Sequence, residues 1–206
     1  MLKILGRLSS VNVQKVVWAA GEAGQAFERV DIGGPFGGNK EPCYLAKNPN
    51  GQVPVLEDGD VCIWESNSIV RYIAARYGAG LIWDENPARR SEADRWMDWA
   101  ICELQPAMTP AFWGLMREPA TADPARIAES IARTEQRLDM LEAHLAKGRS
   151  YLGGERFGMA EIAVGPSVHR WLNMPVERAP RPHLQRWYET IAGREAAGPA
   201  LPLPIK

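Results

Sequence analysis

The change in hydrophobic periodicity along the chain constrains its fold more than any other feature of the sequence. Up to about Tyr77, short apolar runs of strand length alternate with amphipathic stretches, whereas after about Pro87 only helical periodicity remains. Alternating strands and helices are typical of an α/β domain, and helices alone build a bundle. The pattern therefore predicts an α/β domain over residues 1–78, a linker over 79–87 and an all-α domain over 88–206.

The first 78 residues predict the order β-α-β-α-β-β-α. The opening strand–helix–strand unit predicts two parallel strands joined by a right-handed crossover. Asp58-Gly59 lies between two later apolar runs, which is a strong signal for a β-hairpin. We expect a mixed four-stranded sheet with helices on its faces. The predicted strands cover 2–5, 27–32, 53–56 and 61–64, and the predicted helices cover 13–20, 41–46 and 66–77, the last capped by Ser66.

The remaining chain predicts helices with turn signals between them. A helix over 88–117 contains Pro106 and Pro110, which we expect to kink or break it. Asp123-Pro124 is a typical cap and first residue for the next helix, which Gly148 ends. Two further helices are predicted over 159–171 and 184–191, and the proline-rich tail from residue 198 is predicted to be extended.

Composition excludes several classes of function. The formal net charge is −1, so no global field attracts nucleic acid, and no apolar run reaches the roughly 20 residues that a membrane span needs. The three cysteines are too few for a disulfide framework, and we expect them to be buried or half-buried thiols. The three histidines show no metal-ligand spacing. We therefore expect a cytoplasmic protein with no metal, no nucleic-acid partner and no membrane partner.

The turn Ser9-Ser10-Val11-Asn12 is the first segment that can carry chemistry. It joins the first strand to the first helix, so its polar side chains lie at a helix N-terminus. The helix dipole and free backbone N–H groups favour an anion there, and a bound thiol at such a site loses its proton more easily. The alternative is that a serine simply caps the helix.

The second segment is Asn48-Pro49-Asn50-Gly51-Gln52-Val53-Pro54. Pro54 falls in an apolar strand, where it cannot donate a hydrogen bond to the sheet. A cis Val53–Pro54 bond would resolve this and would leave the Val53 backbone able to pair with an extended peptide. The alternative is an ordinary proline in an edge strand.

The third segment, Glu65-Ser66-Asn67, begins the third helix. The Ser66 N–H and hydroxyl suit a carboxylate, and the Glu65 carboxylate suits an ammonium group, so together they suit the α-amino acid end of a ligand. Plain helix capping is again the alternative. All three segments are expected at one edge of the sheet, where α/β sheets bind ligands. A zwitterionic peptide that carries a thiol would contact all of them.

Two stretches resemble the glutathione transferase superfamily. They are Asn-Pro-Asn-Gly-Gln-Val-Pro-Val-Leu before Asp-Gly, and Glu-Ser-Asn-Ser-Ile-Val-Arg-Tyr-Ile after it. Residues 157–163 with Pro166 resemble the family's C-terminal folding motif, a capping box in which Gly158 here replaces the hydroxyl residue and Glu161 replaces the aspartate. The resemblance implies a thioredoxin-like N-terminal domain, an all-helical C-terminal domain and a homodimer.

The resemblance also implies roles for individual residues. The Val53 backbone would pair with the cysteinyl part of glutathione, with Pro54 cis. Glu65 and Ser66 would hold the γ-glutamyl end. Asn39 and Gln52 match positions near the glycine end.

The thiol-activating residue is assigned within the first turn. Ser10 is expected to donate a hydrogen bond to the thiolate, with Asn12 assisting and Ser9 as the reserve. An apolar electrophile is expected against the following residues: Phe112, Trp113, Leu115, Met116 and Arg117. Two alternatives stay open, a glutathione-dependent disulfide or peroxide reductase and a glutathione-binding protein with little catalysis.

Overall fold

The computed structural model describes residues 1–205 and contains a mixed four-stranded sheet. The strands are β1 (Leu2–Leu5), β2 (Phe27–Val30), β3 (Val55–Asp58) and β4 (Val61–Trp64). Their order is β2-β1-β3-β4, with β1 parallel to β2 and antiparallel to β3, and β3 antiparallel to β4. The predicted parallel pair and the predicted hairpin are both present.

Within residues 1–205, three α-helices lie in the same unit as this sheet and six α-helices follow that unit. The first three are α1 (Val11–Glu22), α2 (Pro42–Leu45) and α3 (Ser66–Tyr77). The rest are α4 (Pro87–Trp99), α5 (Gln105–Phe112), α6 (Pro124–Leu145), α7 (Met159–Leu172), α8 (Pro182–Ala192) and α9 (Ala197–Ala200). The predicted class is therefore confirmed, as a thioredoxin-like α/β unit followed by an all-helical one.

The third strand begins later than predicted. Pro54 precedes β3 instead of lying inside it, because a residue without an N–H cannot join the sheet ladder. The Val53–Pro54 peptide bond is cis, as predicted. The hairpin turn contains Gly59 with φ +59°, a conformation that glycine adopts without a steric penalty.

The two prolines of the long helix do not break it. Instead, π-helical turns at Ala100–Leu104 and Trp113–Arg117 flank α5, which contains Pro106 in its first turn and Pro110 inside. Proline lacks the N–H for an i→i−4 bond, and its ring crowds the preceding turn. Wider turns relieve this crowding, so the chain stays helical from α4 to Arg117.

The starts of the helices in the second unit follow the sequence signals, but the C-terminal tail differs from its prediction. Asp123 caps α6 by accepting a bond of 2.9 Å from the Ala125 N–H. Glu161 accepts from the N–H of Gly158, the cap residue of α7, at 3.0 Å, so the altered capping box keeps its carboxylate half. The tail is not wholly extended as predicted, because α9 forms where Ala197 and Ala200 are buried against the core.

One hydrophobic core joins both units. Trp18 of α1 and Trp171 of α7 are both fully buried in it. The two helices pack closely, since a β-carbon on Gly165 would lie only 2.7 Å from Cζ3 of Trp18. This packing fixes the N-terminus of α1 relative to the helical unit.

The three cysteines are exposed and free, contrary to the expectation of buried thiols. Cys43 lies in the short α2, whose buried side chain is Tyr44, and Cys62 lies on the edge strand β4. Within residues 1–205 there is no group of three or more His, Cys, Asp or Glu side chains arranged to hold a metal ion. No helix in this part of the chain is long and apolar enough to span a membrane.

Candidate active site

The β1–α1 turn presents Ser10 at the N-terminus of α1. Ser10 has an extended backbone, and its carbonyl accepts from the N–H groups of Val13 and Gln14, each at 3.0 Å. Its hydroxyl makes no capping bond, so it is not used to cap the helix as the structural alternative proposed. Asn12 points toward the helical unit, because its Oδ1 accepts from Nε2 of Gln105 at 3.2 Å.

Side chains around the cis bond anchor the turn before it. Nδ2 of Asn39 donates to the Gly51 carbonyl at 2.8 Å, and the Tyr44 hydroxyl donates to the Gln52 carbonyl at 2.7 Å. Nδ2 of Asn48 donates to the same Gln52 carbonyl at 2.8 Å. The next residue, Val53, is different: within residues 1–205 no hydrogen bond engages its backbone N–H or C=O. The turn is thus rigid, while Val53 is able to pair with a ligand.

Ser66 is the first residue of α3, and Glu65 occupies the cap position that we predicted for Ser66. The reason is the sharp passage from β4 into the helix, for which Glu65 adopts φ +72°, the only positive φ at a non-glycine residue between residues 1 and 205. Ser66 is 2% exposed, and its Oγ has no hydrogen-bond partner in this part of the chain. A buried, unpaired hydroxyl costs about 1–3 kcal/mol, so a ligand that supplies a partner is favoured.

Lys15 connects α1 with the start of α3. It is fully buried, and its Nζ donates to Oδ1 of Asn67 at 3.4 Å. Nδ2 of Asn67 in turn donates to the Met97 carbonyl of α4 at 2.6 Å. Burial lowers the pKa of Lys15 to about 7, and the nearby Glu65 carboxylate partly opposes this effect. This network fixes Asn67, the residue after Ser66, between α1 and α4.

Three arginines from separate segments converge beside the first turn. Arg7 from that turn, Arg117 from the end of the second π-helical turn and Arg170 from α7 line one cavity of about 470 Å³, together with Arg29, which is paired with Asp31. Nη2 of Arg170 donates to the Ser9 carbonyl at 2.7 Å, and Nη2 of Arg117 lies 3.4 Å from Oγ of Ser9. Burial and the other two guanidinium groups lower the pKa of Arg170 to about 9. We call this set of residues the arginine cavity.

Comparison with known proteins identifies the family. Residues 1–75 match the family model described as "Glutathione S-transferase, N-terminal domain", and residues 124–190 match "Glutathione S-transferase, C-terminal domain". Glutathione S-transferase GstB of Escherichia coli strain K12 is 39% identical over 208 residues, covering all of both chains. The chain belongs to the glutathione S-transferase family.

Other members of the glutathione S-transferase family agree with this assignment. Glutathione S-transferase 3 of Zea mays is 36% identical over 217 residues and covers 98% of this chain and 96% of its own. The theta class glutathione S-transferase of Xanthomonas axonopodis pv. citri, solved with glutathione bound, has a TM-score of 0.96 and 42% identity. That alignment covers 100% of this chain and 99% of the other. The resemblance inferred from the two N-terminal motifs is confirmed.

The residues predicted to line the second pocket do not share one cavity. Arg117 lines the arginine cavity, and Phe112 is buried beneath it, with its ring centroid 3.9 Å from Cζ of Arg170. Trp113 is 48% exposed and lines a separate cleft of about 340 Å³ next to Pro110. Met116, like Leu115, is half-buried at the edge of the hydrophobic core.

Sequence reasoning gave no role to several residues that shape the site. Lys15 and Asn67 lie within helical patterns where a polar residue normally faces solvent, and only tertiary packing buries them. Arg7 could have been predicted as a site residue from the sequence, because it lies in the same turn as the predicted serines. Arg170 is 163 positions away from Arg7 in the sequence, so no local pattern pairs the two.

Proposed function

We propose that the protein is a glutathione transferase that binds glutathione along the sheet edge at Val53 and Ser66. The buried, unpartnered Ser66 hydroxyl carries the proposal, since it lies at a helix start suited to a carboxylate. The γ-glutamyl carboxylate would accept from Ser66, and its ammonium group would face Glu65. The cysteinyl backbone would pair with Val53, next to Pro54. The Xanthomonas relative with glutathione bound supports this reading.

The glycine end of glutathione would extend toward Asn39 and Gln52. The Gln52 side chain is exposed and therefore accessible to a ligand, whereas its carbonyl is already occupied within the turn. Nδ2 of Asn39 is bonded to the Gly51 carbonyl. We therefore propose that Asn39 shapes the turn and that the Gln52 side chain makes the contact.

Ser10 would activate the thiol. A free thiol has a pKa near 8.5, so at neutral pH only a small fraction is thiolate. The Ser10 hydroxyl, placed at the N-terminus of α1 and not used in capping, would donate to the sulfur and favour the thiolate. Asn12 would assist through Nδ2, since its Oδ1 is bonded to Gln105. Ser9 is the second candidate for the thiol-activating residue, and its hydroxyl lies within reach of Arg117.

The thiolate would then attack an electrophile with an apolar body. The sulfur forms a bond to the electrophilic carbon, the leaving group departs with its bonding electron pair, and the thiol proton passes to solvent. We propose that this substrate enters beside Arg117 and above Phe112. Trp113 and Met116 lie further along the same helical segment and would contact only a substrate that extends past the cavity.

Single serine variants test this assignment. Ser10→Ala should lower kcat/KM for an aryl halide about 10- to 100-fold, with little change in glutathione affinity, because it removes one hydrogen bond to a charged group worth about 1.5–3 kcal/mol. Ser66→Ala should weaken glutathione binding about tenfold for the same reason. Ser68→Ala, an exposed serine two residues further along α3, is the matched control.

Several outcomes would reject parts of the proposal. Unchanged turnover in Ser10→Ala rejects its role as the thiol activator. Wild-type protein that binds glutathione but converts no electrophile is a binding protein instead. Faster turnover of a small disulfide or a peroxide than of the aryl halide identifies a reductase. A glutathione site that stays empty at millimolar concentration rejects the whole reading.

We further propose a cytoplasmic homodimer with domain boundaries at 78 and 88. The exposed Val61 and Trp64 lie on β4, the edge strand of the sheet, and an exposed apolar edge favours association. The three exposed free thiols suit a reducing compartment. Light scattering coupled to size-exclusion chromatography gives the oligomeric state directly.

A further inference from the structure

The arginine cavity brings several guanidinium groups close together. Arg7 and Arg170 form no ion pair with any carboxylate of residues 1–205, and Nε of Arg7 is buried without a hydrogen-bond partner there. The carboxylate that lines the cavity, Asp31, is paired with Arg29. Burial, with Arg117 nearby, lowers the pKa of Arg7. Arg7 and Arg170 are half-buried, and like charges held close together in such a site are stabilised when an anion lies between them.

The cavity is next to the proposed position of the thiol. A β-carbon on Gly33 would lie 2.9 Å from Nη1 of Arg7 and 3.2 Å from Cγ1 of Val53, so Arg7 and Val53 are neighbours across this glycine. Ser9 also lines the cavity and is adjacent to Ser10. A group held by the arginines would therefore lie beside the sulfur of a glutathione molecule paired with Val53.

Most of the remaining cavity wall is apolar. It includes Leu8, Phe36 and the tail segment 202–205, and the Phe112 ring lies beneath the Arg170 guanidinium. Planar guanidinium groups above an aromatic ring suit a ligand that has a flat apolar body and one oxyanion. Arg170 can contribute to binding both the apolar body and the oxyanion. The face of its guanidinium group lies against the Phe112 ring, and the N–H groups at its edge donate hydrogen bonds.

We propose that the arginine cavity binds the carboxylate of the second substrate, so that the preferred electrophile is an organic anion with an apolar body. This inference rests on the proposed transferase function. The glycine carboxylate of glutathione has the same chemistry. We assign the cavity to the second substrate because much of its wall comes from α7 and the C-terminal tail, whereas the turn at Asn39 and Gln52 is available to glycine. In the reaction the carboxylate of the second substrate stays unchanged, and the sulfur of glutathione displaces a leaving group at another position on the ring of that substrate.

Direct binding tests the site without requiring turnover. Isothermal titration compares nitrobenzoate, which has no leaving group, with the neutral nitrobenzamide, in the presence and absence of saturating S-methylglutathione. Nitrobenzoate should bind at least about tenfold more tightly than nitrobenzamide, because one hydrogen bond to a charged group corresponds to about this ratio of affinities. Nitrobenzoate and S-methylglutathione should also bind at the same time. Equal affinity for the two ring compounds overturns the proposal. Competition between nitrobenzoate and S-methylglutathione assigns the cavity to the glycine carboxylate and also overturns it.

Arginine variants assign the effect to the cavity. Arg7→Met and Arg170→Met should each weaken nitrobenzoate binding at least about tenfold. Arg133→Met, at an exposed position on α6, changes the net charge equally and is the matched control. Arg170 also donates a hydrogen bond to the Ser9 carbonyl, so its replacement removes a contact that stabilises the fold. If Arg170→Met fails to fold for this reason, Arg7→Met alone decides the test. Nitrobenzoate affinity that is unchanged in Arg7→Met overturns the proposal.

Turnover separates this inference from the proposed function. With glutathione, chloronitrobenzoate should be converted in preference to chloronitrobenzamide, each rate being divided by its uncatalysed rate. Conversion of the amide alone supports transferase activity and overturns the anion preference. If neither compound is converted while nitrobenzoate still binds beside S-methylglutathione, the transferase proposal fails and the anion site stands.

Discussion

Replacing Lys15 by methionine removes a buried amino group from the contact between α1 and α3. Lys15 is fully buried, and its single side-chain hydrogen bond within residues 1–205 goes to Asn67 at 3.4 Å. Burial lowers its pKa from 10.5 to about 7, against a smaller opposing effect of Glu65. Methionine has a similar length and no charge, so the variant isolates the proton-linked part of the stability.

The sign and size of the effect follow from proton binding. Between pH 7 and the ordinary lysine pKa, the unfolded chain binds a proton at this residue that the folded chain has largely released. The free energy of unfolding therefore rises with pH in this window. One pKa unit corresponds to about 1.36 kcal/mol, so the gain in the wild type between pH 7 and pH 9 is about 2 kcal/mol. In Lys15→Met this gain is absent.

Urea unfolding at several pH values measures the difference. Trp18 and Trp171 are fully buried, so tryptophan fluorescence reports unfolding, and a fixed protein concentration removes any effect of association. The other titrating groups cancel when the variant is subtracted from the wild type. The loss of the partner of Asn67 adds a penalty of about 1–3 kcal/mol that does not change with pH. A difference that stays flat from pH 7 to pH 9 would refute the claim that Lys15 is a buried amine with a lowered pKa.

Two further substitutions test helix ends. Asp123→Ala should lower the free energy of unfolding by about 1 kcal/mol, because α6 loses its capping carboxylate; the thermal midpoint checks this, and an unchanged midpoint counts against the cap. Glu161→Gln should cost about 1–3 kcal/mol, since an amide has one acceptor oxygen for the two N–H groups of Leu152 and Gly158. Denaturant titration measures it, and a more stable variant would contradict the role given to this carboxylate.

Local patterns predicted the elements well because each has a short-range cause. Asp58-Gly59 predicted the hairpin, and Asp123 predicted the start of α6; in both cases turn or capping chemistry acts within four residues. The errors have local causes as well. The start of β3 was placed too early because Pro54 was included in the strand, and Ser66 was assigned the cap because the left-handed turn at Glu65 leaves no mark in the pattern.

The candidate site was only partly predictable. The segments with Ser10, Val53 and Ser66 carry motif signals of their own, and the topology brings their elements to one sheet. The arginine cavity carries no such signal, since Arg7 and Arg170 belong to different units. The predicted second-pocket residues share a helix, but the helix turns Trp113 away from the cavity that Arg117 lines.

The sequence by itself determined the element order, the two structural classes and the family, because hydrophobic periodicity, turn residues and motif spacing are properties of neighbouring residues. The tertiary structure alone decided which polar groups are buried and which charges meet. Lys15 becomes a buried amine only when α3 packs against α1, and the arginines form a cavity only when α7 packs beside the first turn. Burial and charge proximity depend on distances between residues far apart in the chain, and these distances exist only in the folded protein.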